Sequence, residues 1–128
     1  KPYMPFQQWA MQAEGLKKSP LGMLIHPVYG LWHAYRGAIL MPDEKLIQPV
    51  EKLSHPCESC TEKPCLSACP VNAFSDGGYD VAGCRSHIKS EYGQTCMTGG
   101  CLARRACPVG REYAYEPEQM RFHMQAFV

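Results

Sequence analysis

The chain has 128 residues, enough for one domain of ordinary size or a small domain with an appended segment, and too few for two large ones. Lysine and arginine number 13 against 12 aspartate and glutamate, and a balance of +1 gives no electrostatic reason to expect nucleic acid or an anionic membrane as a partner. No run reaches the roughly 18 uninterrupted apolar residues of a membrane span. The most apolar stretch, Leu21 to Met41, contains His26, His33 and Arg36, so the chain reads as soluble and cytoplasmic. It begins at Lys1 with neither an initiator methionine nor a signal-peptide pattern, which suits a fragment, a processed form or the ordered part of something longer.

Taking the elements in order, Phe6, Trp9, Ala10, Ala13 and Leu16 recur at helical spacing between Phe6 and Lys17. Gly15 and Ser19-Pro20 end that run, which predicts a short amphipathic helix. Met23 to Ile25 and Trp32 to Leu40 are apolar and aromatic runs flanking the turn-like His26-Pro27-Val28-Tyr29-Gly30; they predict two strands, or one strand with a loop. Met41 to Pro56 holds Pro42, Pro49 and Pro56 among charged residues and reads as a connector. Residues 1–55 are therefore an N-terminal helix and strand segment plus connector, and residues 56–128 a cysteine-bearing domain. Within the latter, Asp80 is placed to cap a helix that runs to about Ser90, stops near Gly93 and carries Cys84. Pro117, at a first helical position, precedes Met120, His123, Met124 and Phe127 at helical spacing, so a C-terminal packing helix is expected. Its methionines suit core gaps.

All eight cysteines fall between Cys57 and Cys107. A disulfide framework, zinc sites and iron-sulfur ligation are the three uses of cysteine at this density. Zinc favours paired C-x2-C units, and only Cys57-x2-Cys60 has that form. A disulfide scaffold suits a chain that cannot build a core, whereas the cysteine-free half here is rich in aromatic and apolar residues. Two motifs remain: Cys57-x2-Cys60-x4-Cys65-x3-Cys69-Pro70 and Cys84-x11-Cys96-x4-Cys101-x5-Cys107-Pro108. Both end in Cys-Pro. In bacterial dicluster ferredoxins the first three cysteines of a motif bind one cluster and the fourth crosses to the other. Applied here, the rule gives cluster one Cys57, Cys60, Cys65 and Cys107, and cluster two Cys69, Cys84, Cys96 and Cys101. The loops are longer than in most small ferredoxins, with x4 and x5 in place of x2 and x3, but ligand number and order are kept. Two 4Fe-4S clusters, each carrying about −2 with its thiolates, would bring the chain to about −3. The expected fold is α+β: a small bacterial dicluster ferredoxin-like domain with an N-terminal helix and strand segment and a C-terminal helix.

The segment Cys57-Glu58-Ser59-Cys60-Thr61-Glu62-Lys63-Pro64-Cys65-Leu66-Ser67-Ala68-Cys69-Pro70-Val71-Asn72-Ala73-Phe74 resembles the cluster motif of the epoxyqueuosine reductase family. Its x4 spacing, with proline before the third cysteine, also resembles iron-sulfur subunits of membrane-linked oxidoreductases. Upstream, Leu24-Ile25-His26-Pro27-Val28-Tyr29-Gly30-Leu31-Trp32 and Gly37-Ala38-Ile39-Leu40 are similar to the segment that precedes the clusters in epoxyqueuosine reductases and corrinoid reductive dehalogenases. The resemblance runs from about Leu21 to Pro108. It implies crossed ligation, and a cobalamin as further cofactor, held mainly by a preceding domain whose catalytic acid has no counterpart here. The glycine-rich approach of those enzymes is replaced by Ala13-Glu14-Gly15-Leu16-Lys17-Lys18-Ser19.

The residues thus predict an electron carrier that passes single electrons to or from a redox partner protein or an upstream enzyme domain, with no residue acting as catalytic acid or base. The alternatives are the electron-delivery portion of a cobalamin-dependent reductase, and clusters that only staple the fold. Among secondary candidates, His26 and His33 lie in the segment that faces the cofactor in the resembling enzymes and either touch a partner or corrinoid or serve the turn and its packing, and His55 is either a donor to a cluster sulfur or an exposed linker histidine. His87 and His123 read as structural. Arg104 and Arg105, with Lys63, Arg85 and Lys89, form either a docking surface for an acidic partner or a solvated face. Tyr29, Trp32 and Tyr35 read as core aromatics or as a shield for a cofactor edge.

Overall fold

Apolar runs in this chain are short and punctuated by proline, glycine and cysteine, which leaves little room for long elements. The computed structural model describes residues 3–43, 45 and 54–128. It combines short helices with two two-stranded antiparallel ribbons. The fold class is α+β, with a helix at each end, as the periodicity predicts.

Helix α1 spans Phe6–Glu14 and stops at Gly15, whose φ of 66° is the left-handed conformation that ends many helices. Ala10 is buried and Trp9 half-buried beneath an edge-on Phe6, while Ala13, expected on the same face, is exposed. Strand β1 (Lys17–Lys18) pairs with β2 (Leu24–Ile25), Lys17 opposite Ile25. Of the two readings of the aromatic stretch, one strand with a loop is the one found. His26 and Gly30 exchange both backbone hydrogen bonds at 2.9 Å and close the turn on itself. Beyond it, the Leu31 carbonyl is taken by the Arg104 guanidinium rather than by a neighbouring strand. The connector expected over Met41 to Pro56 falls mostly outside the described residues.

Two one-turn helices, α2 (Pro56–Ser59) and α3 (Pro64–Ser67), each open on proline, whose missing N–H costs nothing in a first turn. A hairpin follows, β3 (Phe74–Ser75) against β4 (Gly78–Tyr79), with Phe74 stacked on Tyr79 at 4.7 Å. Helix α4 spans Val81–Lys89, and the Asp80 carboxylate accepts from the Gly83 N–H at 2.9 Å, the cap its sequence predicts. A single 3-10 turn at Glu91–Gly93 leads into α5 (Gln94–Gly99), then α6 (Leu102–Arg105) and, after a second 3-10 turn, α7 (Pro117–Phe127). Helix α7 lies so close to the end of α5 that a Cβ on Gly100 would come within 2.8 Å of the Met120 sulfur.

Leu21, Ile25 and Leu31 share one core with Cys65, Cys69, Ala73, Ala103 and Cys107. Ile25 is only 2% exposed, and burying such a side chain contributes about 1.5–3 kcal/mol. The N-terminal segment is therefore packed against the cysteine loops. Two further contacts fasten it there. Gly30, with φ of 58°, lies directly on the Val109 carbonyl, and Gly110 lies on Tyr29, so neither position has room for a side chain. Arg104 donates to the Leu31 carbonyl, and its guanidinium lies against the rings of Trp32, at 4.4 Å, and Tyr115, at 4.7 Å, which themselves meet edge to face. Among the described residues no helix is long and apolar enough to cross a membrane.

Candidate metal centre

The eight cysteines are all free thiols, and they line two separate hollows, four to each. Helices α2 and α3 wind Cys57, Cys60 and Cys65 around the first hollow; Cys107, from the loop after α6, completes it. Ser19, Ile25 and Leu31 of the N-terminal segment and Val109 close it down to about 20 Å³. The second hollow takes Cys69 from the turn after α3, Cys84 from α4, Cys96 from α5 and Cys101 from the entrance to α6. At about 470 Å³ it is far wider, framed by Leu21, Met23, Phe74, Ile88, Met124 and Phe127. In each set the cysteine before proline has left its own motif for the other: Cys69 lies with the second group and Cys107 with the first. Among the described residues, no three His, Cys, Asp or Glu side chains are drawn close enough together to hold a single metal ion.

Electrostatics follow the same division. Burial pushes the Cys57 thiol up, reinforced by its neighbours Cys107, Cys65 and Cys60, while Lys63 pulls the other way. Burial likewise raises Cys65, with Cys107 and Cys60 adding to it. In the second set, burial raises Cys96 and Cys101, and each also feels Cys84. Burial thus disfavours the thiolates of Cys57, Cys65, Cys96 and Cys101, and a bound cationic centre would reverse that preference. Backbone N–H groups oppose the burial effect: those of Ala103 and Arg104 face the Cys101 sulfur, and that of Leu102 faces Cys96. The Ala73 N–H donates to the Cys69 sulfur at 3.3 Å. Thiolate ligands, N–H groups turned toward sulfur and a largely apolar surround are the chemistry that iron-sulfur cores require, so the residues present fit such a group.

Side chains outside the motifs complete the picture. His87 stands three residues after Cys84 on α4, and its Nε2 lies 4.0 Å from the Cys96 sulfur; that spacing on one helix face could have been read from the sequence. Tyr79 packs beside Cys84, Cys101 and Cys69, and burial with those neighbours pushes its phenol well up. Ser19 has a buried Oγ with no hydrogen-bond partner among the described residues, and nothing in its sequence context marks it as part of a site.

Other candidates are turned to different uses. His26 Nδ1 accepts from the Val28 and Tyr29 N–H groups at 3.0 and 3.2 Å, and His33 meets the Gly30 carbonyl at 3.1 Å, so both rings brace the turn. Tyr35 donates to Glu14 at 3.2 Å, and burial together with that carboxylate pushes its phenol up to about 12. His55 lines a different hollow, polar and shared with Glu14, His26 and Glu58, rather than the cysteine hollow beside it. Trp32 is buried against Arg104, and His123 lines the second hollow and leans on Tyr115 at 5.5 Å. Arg104, expected on a solvated or docking face, is committed internally, because its guanidinium is the clasp on Leu31 and Trp32. Arg105 remains exposed, close enough to Cys96 to favour its thiolate. No family model matches this chain, and no match is found among curated proteins or solved structures.

Proposed function

We propose that the chain is an electron-transfer protein holding two 4Fe-4S clusters, one in each cysteine-lined hollow. The observation that carries the reading is the exchange of Cys69 and Cys107 between two otherwise sequential sets of thiols. Cys57, Cys60, Cys65 and Cys107 would hold the first cluster, and Cys69, Cys84, Cys96 and Cys101 the second. When bound, such clusters supply reversible one-electron reduction with no bond made or broken in the protein. The chain's own work is to fix the thiolates, turn N–H groups toward sulfur and exclude water. Cys65, Cys69 and Cys107 belong to one packed core, so thiols of both sites are held in the same cluster of side chains, as suits a relay between neighbouring centres.

The test is metal and sulfide analysis of chain purified without oxygen. About eight iron and eight sulfide per chain are expected, with a broad visible absorption that bleaches on reduction. Zinc in place of iron would sink the reading.

A further inference from the structure

Buried polar atoms without partners are rare, and each calls for an explanation. Ser19 is only 7% exposed, its Oγ meets no donor or acceptor among the described residues, and it lies on the wall of the first cysteine hollow. Its backbone is pinned: the Ser19 N–H donates to the Met23 carbonyl at 2.7 Å and its own carbonyl accepts from Gly22 at 2.9 Å. The β1–β2 ribbon that carries the turn is set against the core by Ile25. The turn that carries the hydroxyl is therefore fixed against the core. Leaving such a group unpaired is costly, and the first cysteine hollow is the space beside it.

We infer that Ser19 is a positioning residue for the first site, donating its Oγ–H to a sulfur of the group held by Cys57, Cys60, Cys65 and Cys107. The inference rests on the iron-sulfur reading and deepens it. A ligated thiolate or an inorganic sulfide carries no proton, so the hydroxyl can only be the donor. Reduction adds one electron to the centre and leaves the proton on Oγ; the added negative charge strengthens the hydrogen bond, so Ser19 favours the reduced form. The second hollow has a different side-chain neighbour, His87, and does not include Ser19. The effect is therefore confined to one centre.

The experiment is a redox titration of the iron-loaded full chain with dithionite, followed by electron paramagnetic resonance, comparing wild type with Ser19→Ala. Cys84→Ser, which strikes the second set alone, assigns the signals. Ser19→Ala is expected to reduce the first centre's reduction equilibrium constant by roughly fivefold, the weight of one hydrogen bond, and to leave the second centre unchanged. Should Ser19→Ala fail to load iron, the pair Ser19→Thr and Ser19→Val replaces it: the shapes match and only threonine keeps the hydroxyl. Wild-type behaviour in the threonine variant with a shift in the valine variant supports the role. No shift, or an equal shift at both centres, overturns it. Wild-type chain that binds no iron-sulfur centre defeats the proposed function itself, before any variant is made, and this inference with it.

Discussion

The two cysteine hollows differ less in their ligands than in what covers them. The first is roofed by the N-terminal segment, through Ser19, Ile25 and Leu31, and is held down to about 20 Å³. The second is framed by apolar side chains of α7 and of the Phe74–Tyr79 hairpin, and extends to about 470 Å³. Equal donor sets in unequal surroundings would differ in potential and in solvent access, because second-shell contacts and hydration set both. The N-terminal half of the chain reaches both hollows, through Ser19, Ile25 and Leu31 at the first and Leu21 and Met23 at the second, but narrows only the first.

The strongest way to break this comparison is to remove a crossing ligand. Cys107→Ser should unsettle the first centre and Cys69→Ser the second, each against its position in sequence, and iron should fall from about eight toward about four per chain. Metal analysis and the surviving resonance decide it; sequential ligation gives the opposite assignment. Next in size is the roof. Gly30→Ala forces a side chain against the Val109 carbonyl at a φ of 58° and should lower stability by about 3 kcal/mol in chemical denaturation. Gly22→Ala, at a φ of 77° with open space around it, should cost only about 1 kcal/mol. A ferrous chelator sharpens the contrast: it should strip the second, wider site several-fold faster than the first, and Gly30→Ala should narrow that gap. Smallest is a pH effect in the roof. Burial holds His33 below its ordinary 6.5, so the unfolded chain binds the extra proton and stability falls as pH drops through about 6.5. His33→Phe should flatten that slope in denaturation midpoints.

Local rules made the longer helices legible. Gly15, Asp80 and Pro117 mark ends of α1, α4 and α7 through backbone conformation, a cap and a first-turn proline, all of which act over a few residues. Helices α2, α3 and α6 are one turn each, too short for any period to register. Strand β1 is two exposed lysines, with no alternation to betray it. The cysteines announced themselves by spacing. Ser19 did not, because its importance depends on a fold that brings it beside residues dozens of positions away. Arg104 looked like surface charge for the same reason: only the packed segment reveals the carbonyl and two rings that hold it.

The exchange of Cys69 and Cys107 also sets an order of events during synthesis. A chain emerging from the ribosome has all four thiols of the second set once Cys101 has appeared, whereas the first set stays incomplete until Cys107 follows, although three of its members are far older. The roof is older still, since Ser19 and Gly30 precede every cysteine, yet Gly30 has nothing to rest on until Val109 and Gly110 arrive. A segment made before all eight cysteines is therefore fastened at Gly30 only once the residues that follow Cys107 have been made.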